Sequence, residues 1–281
     1  MLFGEYTVTL GSGALSIPFS NYSGQWSYYN KTISSRESLM RFYTFLTSQH
    51  HLSDEIQLDA FRNDISNGLF FDSNIPFGYG LGSSGALVAA VFESYCKPKF
   101  DDLQYLKTFL ACLEGAFHGS SSGLDPLVSY LNQALRIDDT GNIHFENQEG
   151  LTSYLFILDT GMSRQTEPLV KYFKDVYLKD HSFFLAIEKL KFHNQESIDA
   201  ILAQDYSNLW LEMCNISDIQ YHYMRKMIPE MYHSLWRKGL DSDYFKLKLC
   251  GAGGGGILMG MTLNKEDLLK TCQNYSIAFV K

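Results

Sequence analysis

Several features are scarce in this chain, and each scarcity removes a class of protein. Cysteine appears five times, at Cys96, Cys112, Cys214, Cys250 and Cys272, an odd and scattered set without a C-x-x-C pair. Neither a disulfide framework nor a zinc site organises such a sequence. Positive charge is short, with 23 Lys and Arg against 31 Asp and Glu and a net charge of −8. No basic stripe is interleaved with aromatics, so nucleic acid is not an expected partner. No apolar run reaches membrane-spanning length. The first residues have no basic stretch and carry Glu5 within an alternating pattern, which does not read as a signal peptide. A reduced cytoplasm is the expected location, with a small molecule as partner and a homodimer left open. The two commonest phosphate-loop patterns, G-x-x-x-x-G-K-[ST] and a post-strand G-x-G-x-x-G, are also missing. Internal repeats and low-complexity linkers are absent as well.

Two glycine-dense segments stand out instead. In the first, Pro76-Phe77-Gly78-Tyr79-Gly80-Leu81-Gly82-Ser83-Ser84-Gly85 runs directly into the apolar stretch Ala86 to Phe92. That pattern reads as a tight loop opening a buried helix. The first N–H groups of a helix have no internal partner and sit at the positive end of its dipole. Glycines let an anion approach that backbone, and serine hydroxyls add donors or a metal ligand. The competing explanation is a flexible loop before a core helix.

In the second, Lys246-Leu247-Lys248-Leu249-Cys250 reads as an alternating strand entering Gly251-Ala252-Gly253-Gly254-Gly255-Gly256. Five glycines in six positions cost conformational entropy. A surface turn needs one or two; five suit a place where backbone passes very close to a ligand or another backbone.

Between them, Leu103, Leu106, Leu110, Leu113 and Phe117 keep helical spacing, which predicts an amphipathic helix from about Asp101. Glu114 falls on or beside that apolar stripe, either at its edge or buried with a cationic partner or a metal. His118 lies one turn further on the same face and reads as a structural hydrogen-bonder. Asp125 before Pro126 reads as a helix N-cap.

These residues carry a resemblance. Gly80 to Gly85 resembles the phosphate loop of the GHMP small-molecule kinases. Lys248 to Gly256 resembles their C-terminal glycine motif, and Gly4-Glu5-Tyr6-Thr7-Val8 their N-terminal motif. The three lie in the family's order and span nearly the whole chain. His118-Gly119-Ser120-Ser121-Ser122-Gly123-Leu124-Asp125, with Glu114 four residues before the histidine, is similar to the mevalonate kinase branch. The resemblance implies an α+β, two-domain GHMP kinase-like fold with nucleotide and acceptor in the cleft between the domains. It also implies ATP and Mg²⁺ as cofactors, isoprenoid biosynthesis as the setting and mevalonate as the acceptor. Phosphomevalonate, or a sugar or amino-alcohol, are the alternatives within the family. A non-catalytic ligand-binding relative is the alternative outside it.

Residue by residue, the resemblance makes Asp125 the acceptor of the substrate hydroxyl proton and puts the ATP phosphates on Gly80, Leu81, Gly82, Ser83, Ser84 and Gly85. Ser84 and Glu114 would hold the metal. Glu5, Tyr6, His118, Arg164, Thr166, Gly253 and Gly254 would lie on the substrate side. Arg164 suits that place because its planar fork binds carboxylate or phosphate bidentately. Without the resemblance, the segment around it reads as a surface turn with Thr166 capping the next helix. The chain departs from the family in three places. A lysine expected five residues before Gly4 would fall ahead of Met1, so either the protein begins upstream or it lacks that cation. Tyr6 stands where histidine is usual, and Ser121 where proline is usual.

The same reading divides the chain into an N-terminal nucleotide and phosphate-loop domain, residues 1–150, and a C-terminal α+β domain, residues 151–281. The polar run Glu146 to Gly150 is the expected crossing point. Asp138 to Asn142 is expected to turn a hairpin between Ala134–Ile137 and Ile143–Phe145. A strand is expected over Tyr154–Leu158. Three helices are expected after it: one from Val170, one carrying Ile198, Ile201, Leu202 and Leu209, and one carrying Tyr223, Met227 and Met231.

Overall fold

A computed structural model describes residues 1–28, 33–49, 53–96, 102–119, 121–164 and 166–280. In chain order its elements begin with β1 (Ala14–Ser16), β2 (Gly24–Ser27), α1 (Ile33–Ser48), α2 (Leu58–Ser66) and β3 (Phe70–Ser73). Then come α3 (Ser83–Tyr95), α4 (Leu103–His118), α5 (Leu124–Leu131), β4 (Ala134–Ile137), β5 (Ile143–Glu146) and β6 (Leu155–Asp159). The remainder is α6 (Thr166–Lys179), α7 (His181–Leu202), α8 (Tyr206–Tyr223), α9 (His233–Asp241), β7 (Phe245–Leu249), β8 (Ile257–Thr262), α10 (Lys265–Thr271) and β9 (Ser276–Phe279). The class is α+β, with antiparallel sheets and helices set apart from them along the chain.

The elements form two units that interleave along the chain. The larger holds Met1–Phe19, Phe77–Leu81 and Gln133–Lys281; the smaller holds Ser20–Pro76 and Gly82–Asn132. This division differs from a single cut at Gly150. The polar run 146–150 stays inside the larger unit, because β5 pairs back onto β4 before it and β6 joins the larger unit's own sheet after it. The first glycine loop is itself shared, passing from one unit to the other between Leu81 and Gly82.

The smaller unit is helical, with the β2–β3 ribbon beside it. Asp102 caps α4 by accepting from Gln104 N at 2.8 Å. Leu106, Leu110 and Leu113 are buried along the predicted stripe, and Glu114 is buried with them. α3 buries Val88, Val91 and Phe92, the last stacked edge-on against Phe109 and Tyr130. Two glycines here are steric necessities. A Cβ on Gly123 would overlap Lys107 O in α4, and one on Gly85 would lie 2.9 Å from Pro126 N at the start of α5.

The larger unit contains a three-stranded sheet, β1-β4-β5, and a four-stranded antiparallel sheet, β7-β8-β6-β9. The hairpin β4–β5 forms across the expected turn, where Asp138 Oδ1 accepts from Thr140 N and Asn142 N. The alternating reading of β7 does not hold: all five of its residues are buried, both lysines included. Lys246 Nζ turns to the carbonyls at the end of α9, donating to Gly239 O at 2.8 Å. Cations at a helix C-terminus are favoured by the dipole and the unpaired carbonyls. Ile198, Ile201 and Leu202 end α7 while Leu209 belongs to α8, so one expected helix is two, separated by Asp205, whose side chain caps the second. The expected helix through Tyr223, Met227 and Met231 is absent among the described residues. α8 stops at Tyr223, and two 3-10 turns, Arg225–Met227 and Glu230–Tyr232, follow around Pro229, which has no N–H to continue a helix.

Candidate active site

The smaller unit builds a carboxylate site at the start of α3. Gly82, in the left-handed region at φ 74°, opens the helix, and no side chain caps it. Its first N–H groups therefore suit an anion. Ser84, one residue into the helix, donates through Oγ to Glu114 Oε1 at 2.8 Å. Ser121 donates to the other oxygen, Oε2, at 2.5 Å, while its Oγ accepts from Gly123 N at 2.9 Å. Glu114 is buried, and burial pushes its pKa up to about 7. The negative charge of Asp125 pushes in the same direction, and the two serine hydroxyls oppose both.

Asp125 sits in the first turn of α5, which opens at Gly123, φ 74°. It is not the N-cap that the Asp-Pro pair suggests, because glycine in the left-handed region starts the helix two residues earlier. Ser121, a departure from the family pattern, holds Glu114 directly. The run of three serines was the available signal, but only folding selects the one that reaches the carboxylate. The His118 side chain lies outside the described part of the structure.

The described residues hold no group of three or more His, Cys, Asp or Glu suited to a metal. The donors present are one buried carboxylate, two hydroxyls and a second carboxylate near enough to perturb the first. That set fits Mg²⁺, which takes one or two carboxylates and keeps waters or phosphate oxygens elsewhere. A buried carboxylate with a raised pKa is the electrostatic mark of a place where a cation would be stabilising.

The larger unit brings the two glycine segments together. Ile257 N donates to Tyr79 O at 3.1 Å, and Gly256 N to Met162 O at 2.6 Å. A Cβ on Gly256 would collide with the Tyr79 backbone, and its φ is 67°. We expect Gly256→Ala to destabilise the protein by about 3 kcal/mol or more, since steric overlap adds to the left-handed penalty. Urea unfolding monitored by circular dichroism checks this.

Arg164 fills the space that two further glycines leave. Cβ atoms on Gly80 and Gly251 would each lie 2.6 Å from its Nη2. Nη1 donates to Gly253 O and, at 3.3 Å, to Cys250 O, whereas the buried Nε has no partner. Burial pulls the guanidinium pKa down. Thr166 begins α6, and Gly254 N donates to Met227 O at 2.5 Å.

Tyr6 adopts φ 63°, uncommon for a non-glycine residue and held here by tertiary contacts. Its hydroxyl donates to Ala252 O at 2.7 Å and its ring stacks on Phe173 at 4.3 Å. Burial drives the phenol pKa upward. Glu5 Oε1 accepts from Lys248 Nζ at 2.6 Å, and the two side chains are only 3% and 0% exposed. This pair was not read from the sequence, where Lys248 passes for the polar side of an edge strand. Removing one partner of a buried pair strands the other charge, so Lys248→Ala should cost about 3–5 kcal/mol. Pairing Lys248→Met with Glu5→Leu should recover part of that loss in chemical denaturation.

This constellation sits on an α+β fold that resembles the small-molecule kinases of the GHMP class. Residues 46–133 match the GHMP kinases N terminal domain. Among its relatives is a mevalonate kinase of Thermococcus onnurineus, 22% identical over 309 positions covering 96% of this chain and 89% of the relative. The fold matches L. major mevalonate kinase in complex with R-mevalonate at TM-score 0.67 and 16% identity, over 100% of this chain and 93% of that one. It also matches Streptococcus pneumoniae phosphomevalonate kinase at TM-score 0.62 and 13% identity, over 96% and 92%. No described helix is long and apolar enough to cross a membrane.

Proposed function

We propose that this protein transfers the terminal phosphoryl group of ATP to a hydroxyl of a small anionic metabolite, with mevalonate as acceptor. The observation that supports it most is the buried Ser84–Glu114–Ser121 cluster beside Asp125, at an uncapped helix start. Phosphoryl transfer asks mainly for positioning and charge compensation, which such a cluster supplies.

In this reading the N–H groups of Gly82 to Gly85 bind phosphate oxygens. Ser84 and Glu114 are the residues that would hold Mg²⁺, which when bound supplies charge neutralisation of the phosphates. Asp125 orients the acceptor hydroxyl and takes its proton as the phosphoryl group arrives. Its conjugate acid later returns that proton to water. Burial of Glu114 keeps water from competing for the same positions. In the larger unit, Arg164 is the cation assigned to an anionic substrate group, and Glu5 with Tyr6 holds the adjoining turn through Lys248 and Ala252. Thr166, Gly253, Gly254 and His118 are assigned to the substrate side with them.

Phosphomevalonate is the second reading, favoured by the fold match to a phosphomevalonate kinase. An ADP-release assay with ATP and magnesium across mevalonate, phosphomevalonate, galactose and homoserine decides among acceptors. Turnover with mevalonate is the expected result. Turnover with none of the four would overturn the reading and leave a ligand-binding relative.

A further inference from the structure

The larger unit carries an open groove of about 950 Å³ between Met162, Arg164, Pro168 and Leu169 on one side and the 3-10 turns that follow α8 on the other. Small-molecule sites fall in this size range. Three of the groove's side chains are cations, Arg164, Arg225 and Lys226, against a single carboxylate, Glu230. Among the described residues none of the three cations has a carboxylate oxygen within 4.0 Å. They are nevertheless held in place. The Arg225 guanidinium lies 4.8 Å from the Tyr221 ring centre, and Lys226 Nζ lies 5.1 Å from that of Tyr172.

His233 orients Arg225 further. Its Nε2 meets Ile228 O at 2.9 Å, so that nitrogen carries the hydrogen and Nδ1 accepts from Arg225 Nε at 3.3 Å. The two terminal nitrogens of Arg225 remain available to a planar anion. Met162, Leu169 and Met231 give the groove apolar walls, and Met231 is 63% exposed. Arg164 and Gly254 line both this groove and the second glycine turn. A ligand in the groove therefore reaches residues assigned above to the substrate side.

We infer that Arg225 and Lys226 bind the anionic end of the acceptor, a carboxylate or phosphate monoester on a short apolar skeleton. The inference rests on the kinase reading above and names the residues that select for acceptor charge. The cations supply the charge complement, the methionines and Leu169 cover the carbon skeleton, and the groove leads the acceptor toward Arg164.

The test is steady-state kinetics of the wild type, Arg225→Gln, Lys226→Gln and Lys226→Arg with mevalonate, with phosphomevalonate and with mevalonate methyl ester. A hydrogen bond to a charged group is worth enough that each Gln variant should raise KM for the anionic acceptor about tenfold or more. KM for ATP should stay within twofold, Lys226→Arg, which keeps the charge, should raise the acceptor KM less than Lys226→Gln does, and the neutral ester should not separate the Gln variants from wild type. Whichever anionic acceptor suffers more identifies the group that sits there. Acceptor KM within twofold of wild type in both Gln variants would overturn the inference while leaving the kinase reading intact. If the wild type turns over no acceptor, calorimetric titration with sodium mevalonate and with inorganic phosphate decides the matter. Uptake lost in both Gln variants supports the groove; no uptake by the wild type overturns it.

Discussion

Asp125→Asn should lower kcat by about 10²–10⁴-fold, the range that loss of a positioned general base produces. The substitution preserves size and the start of α5, where the cap is Gly123 rather than the aspartate. Nucleotide affinity, measured by fluorescence or calorimetry, should therefore change by less than about threefold, because the N–H donors at Gly82 to Gly85 are untouched. A loss confined to kcat separates a base from a phosphate ligand, whose removal raises KM for ATP as well. Close to full turnover in the asparagine variant would refute the assignment.

Glu114→Gln should have two opposed effects. Turnover should fall by about 10²-fold or more, with the magnesium requirement shifted to higher concentration, because one of the two proposed protein donors to the cation is lost. Stability without metal should move the other way. The folded protein holds the Glu114 proton up to about pH 7, against about 4.5 for an exposed glutamate. Between those values the folded state binds more protons than the unfolded one, so stability falls as pH rises through the window. Below it the group is neutral in both states and contributes nothing. The glutamine variant lacks this penalty, so relative to wild type it should gain at pH 8 compared with pH 4.5, by about 2 kcal/mol or roughly 5 °C in Tm. Calorimetry in EDTA at the two pH values reads the difference. An identical Tm offset at both would show that Glu114 carries no unfavourable charge in the folded protein. Magnesium should abolish the gain, since a bound cation favours the carboxylate form.

Some of this architecture was legible in the residues. The glycine loop that opens α3, the α4 stripe of Leu106, Leu110 and Leu113, and the Asp138–Asn142 turn all rest on local φ/ψ preferences or helical period. The later helices are less legible. Ile198 to Leu209 keeps an apolar rhythm across a break that only the Asp205 cap marks, and Met227 and Met231 keep it where no α-helix runs. Apolar spacing reports burial, and a 3-10 turn or a helix junction buries residues at similar intervals.

The partner of each charge was not legible at all. Lys246 and Lys248 alternate with leucines as surface lysines do, yet one closes the end of α9 and the other pairs with Glu5, 243 positions away in sequence. Ser121 looks like any of three serines until the turn after α4 aims it at Glu114.

By itself the sequence determined where the backbone must bend and which helix would open at a glycine-led N-terminus without a side-chain cap, because glycine content and apolar period act over a few residues. The tertiary structure alone decided which carboxylate is buried, how far its pKa rises, and that Tyr79 and Gly80 lie against the second glycine turn around Arg164. Desolvation and steric contact depend on atoms distant in the chain, and no local pattern records them.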